Sequence, residues 1–281
     1  MRFGFVTCVQ LGLACIEEIY ACGGSLDLVV TLPDDLARRK SGRVFLDEFC
    51  GRHDIALIKS HDINEPEVTA AVRDRAIDWL FIIGWSQIAR SPVLEAPRKG
   101  GIGAHPTLLP VGRGRAAIPW TILKGLTETG VTFFQLDEGV DTGPALHQER
   151  IPVSPDETAT SLYRKVAEAH RLGMRSLWPQ LAADNVVVIP QDESRATIWP
   201  GRTSDDGCIT EEMTVADIER LVRATTHPYP GAFVVADGGR WRIWAGRRAG
   251  ADDHAQGEGL RISRPDGVYI GTHVEWEADV G

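Results

Sequence analysis

Residues 79–83 (WLFII) are five consecutive apolar side chains with no polar alternation, the pattern of a strand covered on both faces. Three strand-like runs, rich in apolar residues, precede it at 2–7 (RFGFVT), 26–32 (LDLVVTL) and 55–58 (IALI). Stretches with helical spacing of apolar residues, 13–22, 44–52 and 65–75, separate these runs, and 10–12 (QLG) reads as the turn into the first helix. Strand alternating with helix predicts βαβ units and a mostly parallel sheet with helices on both faces. Ligands of such sheets sit beyond the carboxyl ends of the strands, which directs attention to 84–88 (GWSQI). The first strand-to-helix turn, TCVQLG, holds a single glycine rather than GxGxxG, which argues against a nicotinamide dinucleotide.

Residues 100–143 carry the candidate chemistry. His105 follows Gly100, Gly101 and Gly103, which allow close approach of a ligand to the backbone, and precedes Pro106, which biases it toward an extended conformation. A histidine can take and return a proton near neutral pH, and a neighbouring carboxylate would fix its tautomer and stabilise the imidazolium. Asp141, in the turn-like stretch DEGVDTG after the strand-like run 131–136, is the candidate partner. Taken singly, the two residues fit a loop histidine and an Asx turn as well as they fit catalysis. Arg113-Gly114-Arg115 offers two guanidiniums suited to bidentate contact with phosphate or carboxylate; either can instead pair with an internal acid.

The succession HPTLLP, GRGRAAIPW and GLTETGVTFFQLDEGVDTG, continued by similarities over 201–233, resembles the N10-formyltetrahydrofolate-dependent formyltransferase family across nearly the whole chain. That resemblance implies transfer of a formyl group from the folate N10 to a primary amine, with no metal. It implies catalytic roles for His105 and Asp141, and it places the family's asparagine, two residues before the histidine, on Gly103. Glycine has no side chain to hold a developing oxyanion, so a backbone N–H near Gly103 or the Gln87 amide is the expected substitute. The folate pocket is expected at Trp85, Gln87, Ile88, Asp137, Glu138 and Val140, and the acceptor at Cys8, Gln10, Thr107, Arg113, Gly114 and Arg115. A cis Leu109–Pro110 bond is expected from the same resemblance. The patterns GWSQIA and IGAHPTLLPVGRGR are similar to the branch acting on small amines, with an amino sugar, nucleotide-linked, or a related small metabolite as acceptor. The alternatives are a methionyl-tRNA formyltransferase and, because of Gly103, a catalytically silent folate-binding chain.

The fold class expected is α/β: an open, mostly parallel Rossmann-like sheet over 1–190, then a small, mainly β, OB- or barrel-like domain over 196–281. The 281 residues, 43% hydrophobic, suffice for one larger and one smaller core. Residues 147–153 read as an edge strand because of Pro152, and Ser154-Pro155-Asp156-Glu157 as the capping box of a long helix. The predicted helix 215–224 is followed by short strands at 233–236, 240–245, 260–263 and 268–270. From Ala196 on, nine Arg and no Lys face eight Asp and six Glu, a net of −5, which disfavours nucleic acid despite a local group at Arg240, Arg242, Arg247 and Arg248. The basic run Arg38-Arg39-Lys40-Ser41-Gly42 reads as a solvated loop or a phosphate contact. Five cysteines without a C-x-x-C pair are expected as buried free thiols in a reducing cytoplasm. No stretch has the length of a membrane span, and the oligomeric state stays open.

Overall fold

The computed structural model describes residues 1–37, 42–85, 87–251, 253 and 259–278. The basic run at Arg38, Arg39, Lys40 and Ser41, and Ser86 in the loop after residue 83, lie outside them. The chain divides into two compact units. The first comprises Met1–Gly114, Glu128–Pro152 and Lys165–Ile198, and the second Arg115–Thr127, Val153–Arg164 and Trp199–Gly281.

In the first unit the chain runs β1 (Phe3–Val6), α1 (Gln10–Ala21), β2 (Leu28–Thr31), α2 (Asp34–Ala37), α3 (Asp47–Arg52) and β3 (Ala56–Lys59). It continues with α4 (Pro66–Asp74), β4 (Trp79–Ile82), α5 (Ser91–Leu94), β5 (Gly100–His105) and β6 (Arg113–Gly114). After α6 (Ala117–Leu123), which belongs to the second unit, come β7 (Glu128–Gln135) and β8 (Ala145–Pro152). One seven-stranded sheet has the order β3-β2-β1-β4-β5-β7-β8; the first five strands are parallel, and β7 pairs antiparallel with both β5 and β8. Alternation along β1 decides which layer each residue meets. Val6 packs with Val68 and Val72 of α4 in one core, while Phe3 on the opposite face meets Trp178, ring centroids 4.4 Å apart. The expectation of helices on both faces is met for this physical reason, and Leu80 and Phe81 of β4 are fully buried.

Three local expectations are corrected. The turn expected at 10–12 is already helical, because Gly12 and Leu13 donate back to the carbonyl of extended Val9. Ser154 and Glu157 close a separate turn, with Glu157 donating its N–H to the Ser154 carbonyl, and the long helix α7 (Ala159–Ala182) starts later. Its cap is reciprocal: Thr158 N–H donates to Ser161 Oγ and Ser161 N–H to Thr158 Oγ1. Finally, Cys22 is exposed and Cys208 only half-buried, rather than buried. The edge position of β8 and the cis Leu109–Pro110 bond are as expected.

The second unit holds β9 at its start (Ile198–Trp199, the first residue counted with the first unit), α8 (Val215–Thr225), β10 (Ala232–Ala236), β11 (Gly239–Arg248), β12 (Leu260–Arg264) and β13 (Gly267–Ala278). The last four form a curled antiparallel sheet of order β10-β11-β13-β12, consistent with the expected small β domain. Helix α8 starts at a capping box between Thr214 and Asp217 and lays Ile218, Leu221 and Val222 against Ile243 and Tyr269. Leu123 of α6 packs on that same cluster, which is why a segment inside the linear span 1–190 is counted with the second unit. Among the described residues no helix is long and apolar enough to cross a membrane.

His170 lies inside α7, its Nδ1 2.8 Å from the Val166 carbonyl and its ring edge-on to Phe133. Burial, the largest cause, lowers its pKa from 6.5 to about 4. The unfolded chain therefore takes up this proton near pH 6.5 while the native chain does so only near 4, so stability is full above the unfolded value and falls as pH drops through this window. The loss between pH 7.5 and 4.5 is about 2 to 3 kcal/mol. Urea unfolding of His170→Gln at those two pH values should show a correspondingly shallower pH dependence than the parent; an unchanged slope refutes the assignment.

Candidate functional site

β5 delivers His105 at its last position, with the ring buried at 7% exposure. The ring stands between two acceptors. Nε2 lies 2.7 Å from the Gly112 carbonyl oxygen and Nδ1 3.4 Å from Asp141 Oδ2. A neutral imidazole carries one N–H, and the short contact to a carbonyl places it on Nε2. The Gly112 carbonyl, rather than Asp141 as expected, thus selects the tautomer, and Nδ1 keeps a lone pair beside the carboxylate. A proton arriving at Nδ1 would meet Asp141 at once.

Asp141 belongs to the connection between β7 and β8. It adopts a left-handed conformation, φ +56°, and its Oδ2 accepts the Gly114 N–H at 2.8 Å. Within the same loop Asp137 Oδ1 accepts from the Gly139 N–H and from Thr142 Oγ1. Gly143 is obligatory, since a Cβ there would lie 1.7 Å from the Gln135 carbonyl oxygen.

A cleft of about 310 Å³ opens beside this pair, beyond the carboxyl ends of β4 and β5. Its lining includes Trp85, Gln87, Ile88, Gly103, His105, Gly114, Asp137, Glu138, Val140 and Asp141, so one wall comes from the loop after β4 and the other from the loop before β8. Ile88 and Val140 are 76% and 60% exposed and form an apolar rim.

The remaining sequence candidates are placed elsewhere. Cys8 and Thr107 are 1% and 2% exposed and do not line the cleft; Gln10 and Arg115 are exposed and do not line it either. Arg113, 5% exposed, has its guanidinium occupied: Nη1 donates to Glu193 Oε2 at 2.9 Å, and Nε and Nη2 donate to Gln191 Oε1 at 3.2 and 2.8 Å. It follows the internal-acid alternative and offers no free fork. Gln87 is held through its Oε1 and one of its two Nε2 hydrogens. Its Nε2 donates to the His61 carbonyl, while its Oε1 accepts from Ile63 N–H and Trp85 Nε1.

Two glycines of β5 leave space that neighbouring side chains fill. A Cβ on Gly103 would sit 2.8 Å from Leu136 Cδ2 and 3.1 Å from the Phe134 ring, and one on Gly101 would sit 3.1 Å from Leu136 Cδ1. Side chains of the β7 segment occupy the space that a side chain at these positions would need. Leu136 and Phe134 were visible only as part of an apolar run, whose facing follows from the Gly103–Phe134 register. Gln191 was missed altogether: it lies in a polar connection, and only the folded chain brings it to the Asp141 loop.

The formyl transferase family model matches residues 23–177, and a model for the formyl transferase C-terminal domain matches 202–276. Solved structures share the fold. Methionyl-tRNA formyltransferase from Clostridium thermocellum superposes with a TM-score of 0.65 at 18% identity, over 99% of this chain and 100% of that one. The N-formyltransferase from Helicobacter canadensis in complex with folinic acid and dTDP-3-aminofucose gives 0.69 at 16% identity, over 96% and 98%. HypX from Aquifex aeolicus in complex with tetrahydrofolic acid gives 0.69 at 18% identity over 98% of this chain, which spans 44% of HypX.

Because Leu136 and Phe134 fill the space next to residue 103, Gly103→Asn alone should be overpacked by about 1 to 3 kcal/mol and lower the melting temperature by several degrees. Adding Leu136→Ala should recover part of that loss. Thermal melts of the single and double variants check this, and a Gly103→Asn protein as stable as the parent contradicts it.

Proposed function

Because the chain belongs to the formyl transferase family, we propose that it moves a formyl group from N10-formyltetrahydrofolate to the primary amine of a small acceptor, an amino sugar carried on a nucleotide. The observation that carries this reading is the His105–Asp141 pair, 3.4 Å apart at the wall of the cleft. The cleft suits the flat bicyclic end of a folate. Its volume of about 310 Å³ lies at the lower end of the range of small-molecule pockets, and Ile88 and Val140 give it the apolar rim that a heteroaromatic ring would stack on.

The folate supplies the formyl carbon; the chain manages the proton. As the acceptor nitrogen bonds to that carbon it must shed a proton, and His105 Nδ1 has the lone pair to accept it. Asp141 stabilises the resulting imidazolium, and the Gly112 carbonyl keeps the ring from turning. The proton then passes to the departing folate nitrogen as the carbon–nitrogen bond breaks.

The charges of the second unit favour a small acceptor over tRNA. Its local arginine group is consumed internally: Arg240 and Arg242 both bind Glu277, Arg247 binds Asp253, and Arg248 stands 3.6 Å from Asp266. Arg242, and then Arg240, hold the Glu277 carboxyl down to about 2. Guanidiniums already neutralised by carboxylates release no counterions from a phosphate backbone. The Helicobacter canadensis structure, with its dTDP-3-aminofucose, supports the choice of a sugar nucleotide. A second reading, folate binding without turnover, rests on Gly103 and on the closed space beside it.

A panel of amino sugar nucleotides, small amines and methionyl-tRNA, incubated with the formyl donor and followed by tetrahydrofolate release, separates the three. Turnover is expected with an amino sugar nucleotide; transfer to methionyl-tRNA alone, or donor binding with no release, refutes the proposal. With the accepted amine, His105→Ala and Asp141→Asn should retain the fold and lose about 10²- to 10⁴-fold in kcat; near-parental turnover in either removes the pair from the chemistry.

A further inference from the structure

We infer that Gln191 is the positioning residue of this site, a clamp between the segment that carries Asp141 and the segment that hydrogen-bonds its carboxylate; the inference rests on the catalytic reading of Asp141 given above. The primary amide works from both ends. Its Nε2 donates to the carbonyls of Asp141 and Gly143, at 2.8 and 2.6 Å, on either side of Thr142. Its Oε1 accepts from Arg113 Nε and Nη2. Arg113 precedes Gly114 in the chain, and Gly114 N–H is the donor to Asp141 Oδ2. One side chain therefore fixes both partners of that hydrogen bond.

The loop needs such an outside hold. Asp141 sits in the left-handed region, which a residue with a side chain adopts at a cost, and a residue there persists when its surroundings over-determine it. The bonds inside the loop, from Gly139 and Thr142 to Asp137 Oδ1, engage neither the Asp141 nor the Gly143 carbonyl. The far end of the clamp is itself anchored. Arg113 is buried and bonded to Glu193, Gly112 N–H donates to Thr197 Oγ1, and Arg113 N–H donates to the Thr197 carbonyl. Because the Gly112 carbonyl also holds His105 Nε2, the strap formed by 191–197 reaches both members of the pair.

Glutamine is the side chain this geometry requires. Leucine keeps the bulk and loses every bond. Glutamate keeps, and strengthens, the acceptor for Arg113 but offers the two carbonyls no donor. If Gln191 serves only to satisfy buried Arg113, Gln191→Glu will behave as the parent; if it holds the Asp141 loop, Gln191→Glu will fail as Gln191→Leu does.

The experiment uses the full chain and two readouts. Amide hydrogen exchange should show Gly114 exchanging at least about tenfold faster in both variants, with β1, β4 and β5 amides at parental protection. With an accepted amine, kcat should fall about 30- to 100-fold in both variants while KM for either substrate changes less than about threefold. Parental Gly114 protection in Gln191→Glu overturns the inference, as does acceleration spread evenly over the sheet, which would mark a global role. If the parent protein formylates no amine, the exchange measurement still decides whether Gln191 holds the loop, so the two ideas fail separately.

Discussion

The Asp141 carboxylate is the group whose placement makes the most demands on the surrounding chain. Side chains in a left-handed turn do not hold themselves there, and this one must also present Oδ2 to a backbone donor and to a ring nitrogen together. The fold meets these demands with parts remote in sequence. β5 ends at His105, the 112–114 segment brings a carbonyl to the ring and an N–H to the carboxylate, and the β7–β8 pairing fixes the two ends of the loop. Loosening any of them shifts the ring nitrogen relative to the carboxylate, and under the formyl-transfer reading errors of an ångström at such a pair are costly.

The same sheet explains how the site departs from the family pattern. β5 has glycine at positions 101 and 103, and β7 runs antiparallel beside it, so Phe134 and Leu136 lean over the bare backbone. An asparagine and these two apolar side chains compete for one space. The chain has settled the competition for packing, which strengthens the floor of the cleft and removes an amide from it. Any oxyanion stabilisation under the formyl-transfer reading must then come from a donor other than a side chain at residue 103; Gln87, bonded to residues 61–63 and Trp85, commits one of its two Nε2 hydrogens to those bonds.

Much of this was legible before folding, and what was not has physical causes. The apolar runs announced the parallel sheet because strands covered on both faces are predominantly apolar, and WLFII became the central strand β4. His105, Asp141 and the two loops around the cleft stood out because glycine and proline mark places where backbone geometry is unusual. Arg113 and Thr107 misled because sequence does not disclose burial: a guanidinium between glycines looks free until Gln191 and Glu193 arrive from far along the chain. Gln191 was invisible for the converse reason, since a polar connection such as PQDESR reads as solvated and its contacts are all long-range. The start of α7 was misplaced because Ser154 and Glu157 satisfy each other in a turn, leaving Thr158 and Ser161 to cap the helix.

The order of contacts around the imidazole bears on what Asp141 can do. A carboxylate that accepts an N–H from the resting ring orients the base; a carboxylate facing a lone pair does something different. With Nε2–H committed to the Gly112 carbonyl at 2.7 Å, the 3.4 Å gap between Nδ1 and Asp141 is mildly repulsive for a neutral ring and attractive for a ring that carries a proton on Nδ1. Under the formyl-transfer reading that change falls at the step where the acceptor amine must lose its proton. Asp141 then favours the state after proton transfer over the state before it, the kind of differential interaction that accelerates a step. Under that reading the backbone carbonyl supplies what the carboxylate does not, a fixed ring, and the two acceptors divide between them the orienting and stabilising roles expected of one aspartate.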